Sequence, residues 1–184
     1  MANFEELLYM IEKYNEYIEL SENTGDVTID IKTYTSDTDI RKSKKDVINI
    51  QSTFSQKERK LMGLDSNEKI KEKIIAKFIA KVDNVPVAYF SLQDVGHHIN
   101  ASVGTRNGDK FRGHGYATQC IKEGLKWYKN NKHKFKNKLI VWWAEKENIG
   151  SQKTAEKAGF KKDLSINKSN DEWLKNNWYK YIYR

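Results

Sequence analysis

The sequence predicts an α/β domain, and three observations carry that expectation. Residues 76–81 and 85–92 read as two strands joined across Asp83-Asn84, a dipeptide suited to a tight hairpin turn. Leu139-Ile140-Val141-Trp142-Trp143-Ala144 is a continuous apolar run, the pattern of a strand buried on both faces. Between them, a strand over residues 99–105 gives way through a glycine-rich segment to a helix with the apolar stripe Ala117, Cys120, Ile121, Gly124, Leu125, Tyr128.

In chain order, Phe4, Leu7, Leu8, Ile11, Tyr14, Tyr17 and Ile18 recur at helical spacing. An amphipathic helix over residues 3–20 is therefore expected, an amino-terminal extension (1–25) that packs on the body or on a partner and is compatible with a homodimer. Residues 27–32 alternate like a strand, and the polar, lysine-rich stretch 36–73 reads as one or two helices with loops. The hairpin follows, where Pro86, the only proline, must sit at a position that needs no ladder hydrogen bond. After the apolar strand 139–144, a helical stretch ends at Ala158-Gly159-Phe160. Gly159 suits the position just past a helix, where a left-handed conformation is least costly for glycine, and Phe160 restarts the chain as a strand. Residues 160–166 and 178–183 supply two more strands, and no repeat or low-complexity linker divides the chain, which reads as one domain over 1–184.

Residues 111–118 read Phe-Arg-Gly-His-Gly-Tyr-Ala-Thr and form an anion cradle. Gly113 and Gly115 let the backbone approach a ligand with no Cβ in the way, and the helix that follows aims its unpaired N–H groups and positive dipole end at the same place. From these residues alone the ligand stays open, since such loops also serve nucleotides and sugar phosphates, and a glycine pair can simply make a tight turn.

The segment resembles the pyrophosphate-binding motif of the GNAT superfamily of acyl-CoA-dependent N-acetyltransferases, Arg/Gln-x-x-Gly-x-Gly/Ala, carried here by Arg112, Gly115 and Ala117. Downstream, Asn148-Ile149-Gly150-Ser151 and Lys157-Ala158-Gly159-Phe160 are similar to the Asn-x-x-Ser and Lys-x-Gly-Phe elements that mark the second half of that family's acyl-CoA site. Both halves occur in the family's order and separation. The resemblance covers residues 76–160 and is nearest the RimJ/RimL-type branch, which acetylates protein N-termini and some other amines.

The resemblance implies the GNAT fold: a mixed, mostly antiparallel central sheet with helices on both faces, in which two neighbouring parallel strands, here 99–105 and 139–144, splay apart to admit acetyl-CoA. It implies a coenzyme site formed by Val103, Thr105, Arg112, Gly113, His114, Gly115, Tyr116, Ala117, Thr118, Asn148 and Ser151, with pantetheine pairing along residues 102–105. The implied activity is transfer of the acetyl group to a primary amine by direct attack, with a backbone amide near Val103 stabilising the oxyanion.

An ammonium must lose a proton before it attacks, so a carboxylate, histidine or ordered water should lie at the mouth of the splayed strands. Many relatives carry a glutamate on the strand before the cradle; this chain has Asn100, Ser102 and Thr105 there, while His97, His98 and Asp94 are near in sequence. Where several branches place a tyrosine acid, this chain has Ala155, so Ser151 becomes the group facing the leaving sulfur, its alternative role being to cap a helix. Asn148 orients the pantetheine amide or fixes the turn. Asn100 and Ser151 are thus the catalytic assignments. The acceptor pocket is expected from segments 37–73 and 164–178, with Trp173, Trp178 and Tyr179 as its aromatics or as core. The acceptor is expected to be a protein N-terminus or other peptide amine; a polyamine, an aminoglycoside, an aminoacyl-tRNA or a catalytically silent acyl-CoA-binding module are the alternatives.

Composition bounds the reading. The 184 residues suit one domain, and the one cysteine excludes an intramolecular disulfide; Cys120, on an apolar stripe, reads as a core thiol rather than a nucleophile. His97-His98 lacks acidic or thiol partners at ligand spacing, so no metal is expected. No apolar run is long enough to cross a bilayer, and Glu5-Glu6 stand where a signal peptide carries positive charge, so a soluble cytoplasmic protein without membrane partners is expected. The formal charge of +8 and pI near 9.3 come from lysines spread along the chain, densest over residues 126–138. These make either a solvated surface or a patch that steers CoA phosphates, tRNA or another polyanion. No nucleic-acid module accompanies them.

Overall fold

The computed structural model describes residues 29–61, 73–108, 110–168 and 171–184; the helix expected over 3–20 lies outside them. Seven strands form one sheet: β1 (Ile29–Tyr34), β2 (Lys73–Val82), β3 (Val85–Asp94), β4 (Ile99–Thr105), β5 (Ile140–Glu145), β6 (Lys161–Lys162) and β7 (Trp178–Tyr183), in the spatial order β1-β2-β3-β4-β5-β7-β6. Neighbours pair antiparallel except β4 and β5, which are parallel. The helices are α1 (Asp37–Lys42), α2 (Lys44–Gln51), α3 (Gln56–Leu61), α4 (Tyr116–Asn131), α5 (Ile149–Lys157) and α6 (Glu172–Asn177). The expected mixed α/β sheet is therefore present.

Local chemistry explains most of the boundaries. Asp83 and Asn84 both take positive φ, 48° and 66°, as a two-residue turn twisted to match its strands requires. Pro86 sits in β3 beside a register shift between Ala80 and Lys81, and β4 pairs with β3 only from Ala88 onward, so its missing N–H disrupts no regular ladder. In α4, the predicted stripe is buried at Cys120, Ile121, Gly124, Leu125 and Tyr128. A Cβ on Gly124 would lie 2.5 Å from the Phe90 ring, so glycine is what lets this helix lie against β3. Burial pushes the Cys120 thiol up to about 12, which makes it an inert core group.

Both faces of the sheet are covered. Phe78, Phe90 and Trp142 form an aromatic row with ring centroids 6.3 and 6.4 Å apart, met by Trp127 of α4 at 6.1 Å and by Phe160 at 5.5 Å. On the opposite face, Val47 and Ile50 of α2 and Phe54 pack with Ile79 and Tyr89. One element departs from expectation. The strand read over 160–166 shrinks to Lys161–Lys162, and a 3-10 turn follows over Leu164–Lys168. Asp163 causes this: its carboxylate accepts from the Ser165 N–H at 3.0 Å and pairs with Lys180 at 2.9 Å, folding the chain out of the ladder.

The parallel pair decides where a ligand enters. Its ladder covers only Ile99, Asn100 and Ala101 against Ile140, Val141 and Trp142; beyond these, pairing stops and the strands part. The predicted splay is this gap.

Candidate active site

A cleft of about 680 Å³ occupies the gap and is lined by residues of both faces of the sheet. Side-chain alternation assigns its walls. Ala101 and Trp142 lie with α4 and α5 in the main core, so Val103 and Thr105 share that face; Asn100, Ser102, Trp143, Glu145 and, through its pairing with Glu145, Trp178 belong to the other.

The α4 face is made largely of backbone. Gly113 and Gly115 have φ of +84° and +80°, and a Cβ on either would meet nothing within 4 Å, because it would project into the open cradle. Gly115 is the N-cap of α4 and offers no side-chain cap, and the first turn holds no acidic residue. The first intrahelical bond is Gln119 N–H to Gly115 O, at 3.0 Å, which leaves the Tyr116, Ala117 and Thr118 N–H groups for an anion. Lys153 and Lys157 line the same face. Strand geometry adds a row of donors and acceptors. Ile99 N–H points to β5, donating to Leu139 O at 2.9 Å, and Arg106 N–H points to β3, donating to Val87 O at 2.8 Å. Alternation then turns the polar backbone groups of Val103 and Thr105 into the gap, as an extended ligand requires. The residues present fit a pyrophosphate and an extended arm.

Arg112 does not reach into the cradle with a free guanidinium. It is bound to Glu58 and Asn107, which ties the glycine loop to α3. Glu58 is itself fixed by a capping box: its carboxylate accepts from Ser55 N–H at 2.8 Å and Ser55 Oγ at 2.7 Å, while Glu58 N–H donates to Ser55 Oγ at 3.3 Å. Burial raises this carboxyl, but hydrogen bonds from Asn107, Ser55 and Arg112 outweigh it and hold it at about 2. Glu58 is thus a fixed anion and a poor base.

At the start of α5, Asn148 is the N-cap, its Oδ1 accepting from Ser151 N–H at 2.9 Å. The capping role weighed for Ser151 therefore belongs to Asn148. Ser151 Oγ instead accepts from Trp142 Nε1 at 3.0 Å, an arrangement that occupies one lone pair and leaves the hydroxyl proton for the cleft.

Most predicted residues meet here: Asn100, Val103, Thr105, Arg112, Gly113, Gly115, Tyr116, Ala117, Thr118, Asn148 and Ser151 all line the cleft. His114 is outside the lining; it is exposed and stacks on Tyr116, ring centroids 5.7 Å apart, and the Tyr116 ring belongs to the core. His97, His98 and Asp94 precede β4 at the closed end of the splay, and none of them lines the cleft. Asp94 is moreover paired with Lys138 at 2.6 Å. The dense lysines of 126–138 sit toward the far end of α4, about 24 Å long at 1.5 Å per residue, so the cations at the cleft are Arg112, Lys153 and Lys157 instead. Of the three suggested aromatics, Trp178 lines the cleft, Trp173 is 64% exposed and Tyr179 packs on the core.

Sequence reading missed Glu58, Trp143 and Glu145. The Ser55-x-x-Glu58 capping box was a visible signal for the first, and a carboxylate closing the apolar run at Glu145 for the last. Among the described residues, no group of three or more potential metal ligands occurs and no helix is long and apolar enough to cross a membrane.

Comparison with known proteins agrees with this geometry. A model of the acetyltransferase (GNAT) domain matches residues 30–161. No curated protein matches the sequence. Among solved structures, the PaiA N-acetyltransferase of Thermoplasma acidophilum in complex with coenzyme A is 12% identical with a TM-score of 0.53, over 85% of this chain and 99% of that one. The ribosomal-protein-S18-alanine N-acetyltransferase of Escherichia coli is 12% identical with a TM-score of 0.51, over 84% and 91%. An acetyltransferase of Bacillus anthracis in complex with acetyl coenzyme A is 18% identical with a TM-score of 0.45, and of it the chain spans less than two thirds, 63%, against 61% of itself. With a parallel pair splayed beside a glycine cradle and the family's domain model matching residues 30–161, most of the chain, the chain belongs to the GNAT acetyltransferases.

Proposed function

We propose that the protein transfers the acetyl group of acetyl-CoA to a primary amine, foremost the amino terminus of a protein or peptide. The observation that carries this is the gap through the sheet: backbone donors and lysines converge on it from the α4 face, and two carboxylates, an amide and two indoles from the other. Donor and acceptor then approach from opposite sides, which favours direct attack over a covalent enzyme intermediate. Acetyl-CoA, when bound, supplies an acetyl group already activated as a thioester.

The roles of the chain's own groups follow. The cradle N–H groups and Lys153 and Lys157 hold the phosphates. Val103 N–H, turned into the gap, faces the carbonyl oxygen as negative charge develops there. Glu145 takes the proton that an incoming ammonium sheds, since Glu58, the other glutamate on the cleft, is committed to Arg112. Ser151, its oxygen held by Trp142, hydrogen-bonds the departing sulfur. The peptide acceptor is favoured by the RimJ/RimL-like motif pair. The test is CoA release from acetyl-CoA across a panel of peptides, polyamines, aminoglycosides and aminoacyl-tRNA, with mass spectrometry of the product. Binding of acetyl-CoA without release in any arm would reduce the protein to an acyl-CoA-binding module.

A further inference from the structure

Two buried side-chain atoms have no hydrogen-bond partner among the described residues: Asn100 Oδ1 and Trp178 Nε1. Buried polar groups are almost always paired, so each orphan calls for an explanation. Both residues line the cleft. Both also stand on the same face of the sheet, because Asn100 shares a cross-strand row with Val141 and Ile182, and Trp178 lies an even number of residues from Ile182. One orphan accepts a hydrogen bond and the other donates one.

Their separation constrains what completes them. Asn100 is at the apex of the splay, in the last rows where β4 and β5 still pair. Trp178 is four residues farther along β7 than Ile182, toward the mouth, roughly 13 Å at about 3.3 Å per residue. A small amine at the apex does not extend to the mouth. A polyamine is long enough but carries only donors when protonated, and offers nothing to an indole N–H. An extended peptide with a free amino terminus has the needed order: a nitrogen bearing protons first, then carbonyl oxygens recurring at roughly 3.5 Å per residue. Trp143 lies along the same face between the two points, apolar surface for the chain, and Glu145, paired with Trp178, places negative charge at the mouth where the ammonium enters.

We infer that Asn100 and Trp178 are the specificity-determining pair for an extended peptide acceptor, Asn100 Oδ1 accepting from the terminal amine and Trp178 Nε1 donating to a carbonyl oxygen downstream. This rests on the acetyl-transfer reading above and adds the two points at which the acceptor is read. The test uses the full chain with saturating acetyl-CoA and compares kcat/KM for trialanine amide, butylamine and spermidine in the wild type, Trp178→Phe and Asn100→Leu. The wild type is expected to prefer the peptide, and Trp178→Phe to cut the peptide-to-butylamine ratio about tenfold, as one lost hydrogen bond between well-placed groups does. Asn100→Leu, of similar volume, is expected to lower peptide kcat/KM at least roughly tenfold while raising the Tm of the unliganded protein by about two to four degrees, because an unpaired buried oxygen is removed. A structural role moves Tm the other way. A retained ratio in Trp178→Phe, or a Tm that falls with activity in Asn100→Leu, overturns the inference. Wild type that acetylates butylamine and not the peptide overturns it while leaving acetyl transfer standing; no CoA release with any amine removes both.

Discussion

The two faces of the gap between β4 and β5 are made of different material. On the α4 face the contacts come from backbone: two glycines at positive φ, three unpaired helix N–H groups, and the alternating amides of Val103 and Thr105. On the other face they come from side chains brought in by separate elements, Asn100 from β4, Trp143 and Glu145 from β5, Trp178 from β7 and Glu58 from α3. A backbone site recognises what every reaction of the family shares, and it persists as long as glycine holds the left-handed positions. A side-chain site changes with single substitutions. With the coenzyme proposed on the α4 face and the acceptor on the other, one half is set by conformation and the other by residue identity, so mutations on the two faces should separate binding from turnover.

The largest effect tests the conformational half. Gly115→Val puts a branched side chain at φ +80° and into the cradle, and should weaken acetyl-CoA binding on the order of a hundredfold by calorimetry. Gly96→Ala is the control, since Gly96 has φ +95° with equally open surroundings but lies in the β3–β4 turn; it should cost some stability and leave affinity alone. Unchanged affinity in folded Gly115→Val would show that the pyrophosphate sits elsewhere.

Next comes the identity half. Glu145→Gln should lower kcat about a hundredfold, the lower end for a lost general base, with acetyl-CoA affinity little altered because the residue faces away from the cradle. Stopped-flow turnover and calorimetry on one preparation separate the two quantities. A parallel loss of both would put Glu145 in the coenzyme site.

Ser151→Ala lies at the seam of the two halves. Turnover should fall about tenfold at constant acetyl-CoA affinity, since the interaction lost with the ligand is the one proposed with the departing sulfur. The same change strips Trp142 Nε1 of its acceptor in a residue only 2% exposed, so thermal unfolding should report a loss of roughly 1–3 kcal/mol. Normal turnover with that stability loss would leave Ser151 as a support for Trp142 alone.

The smallest effect concerns charge. Lys153→Ala with Lys157→Ala should weaken acetyl-CoA binding several-fold, with the difference shrinking but persisting as salt rises through 0.1 M, because contacts to the phosphates lie inside a screening length of about 10 Å. Lys134→Ala with Lys136→Ala, toward the far end of α4, should do nothing measurable. Equal effects from both pairs would restore a steering patch there.

What the chain by itself determined is everything governed by neighbours in sequence. The Asp83-Asn84 turn, the α4 stripe, the glycines at positive φ, the Asn148 cap and Gly159 at φ +91° beyond α5 all depend on residues a few positions apart, so periodicity and spacing reveal them. The α4 face of the cleft was legible for that reason. Tertiary structure decided the rest. Glu58 meets Arg112 across 54 residues, and Glu145 and Trp178 share a face only because β5 and β7 pair in one particular register. The strand expected over 160–166 gave way to a turn because Lys180, far along the chain, takes Asp163. His97, His98 and Asp94 lost their claim as bases because β4 carries them to the closed end of the splay. Strand direction and register place side chains from distant segments on one face or the other, and a contact between segments that chain proximity does not enforce leaves no fixed spacing in the sequence from which to read it.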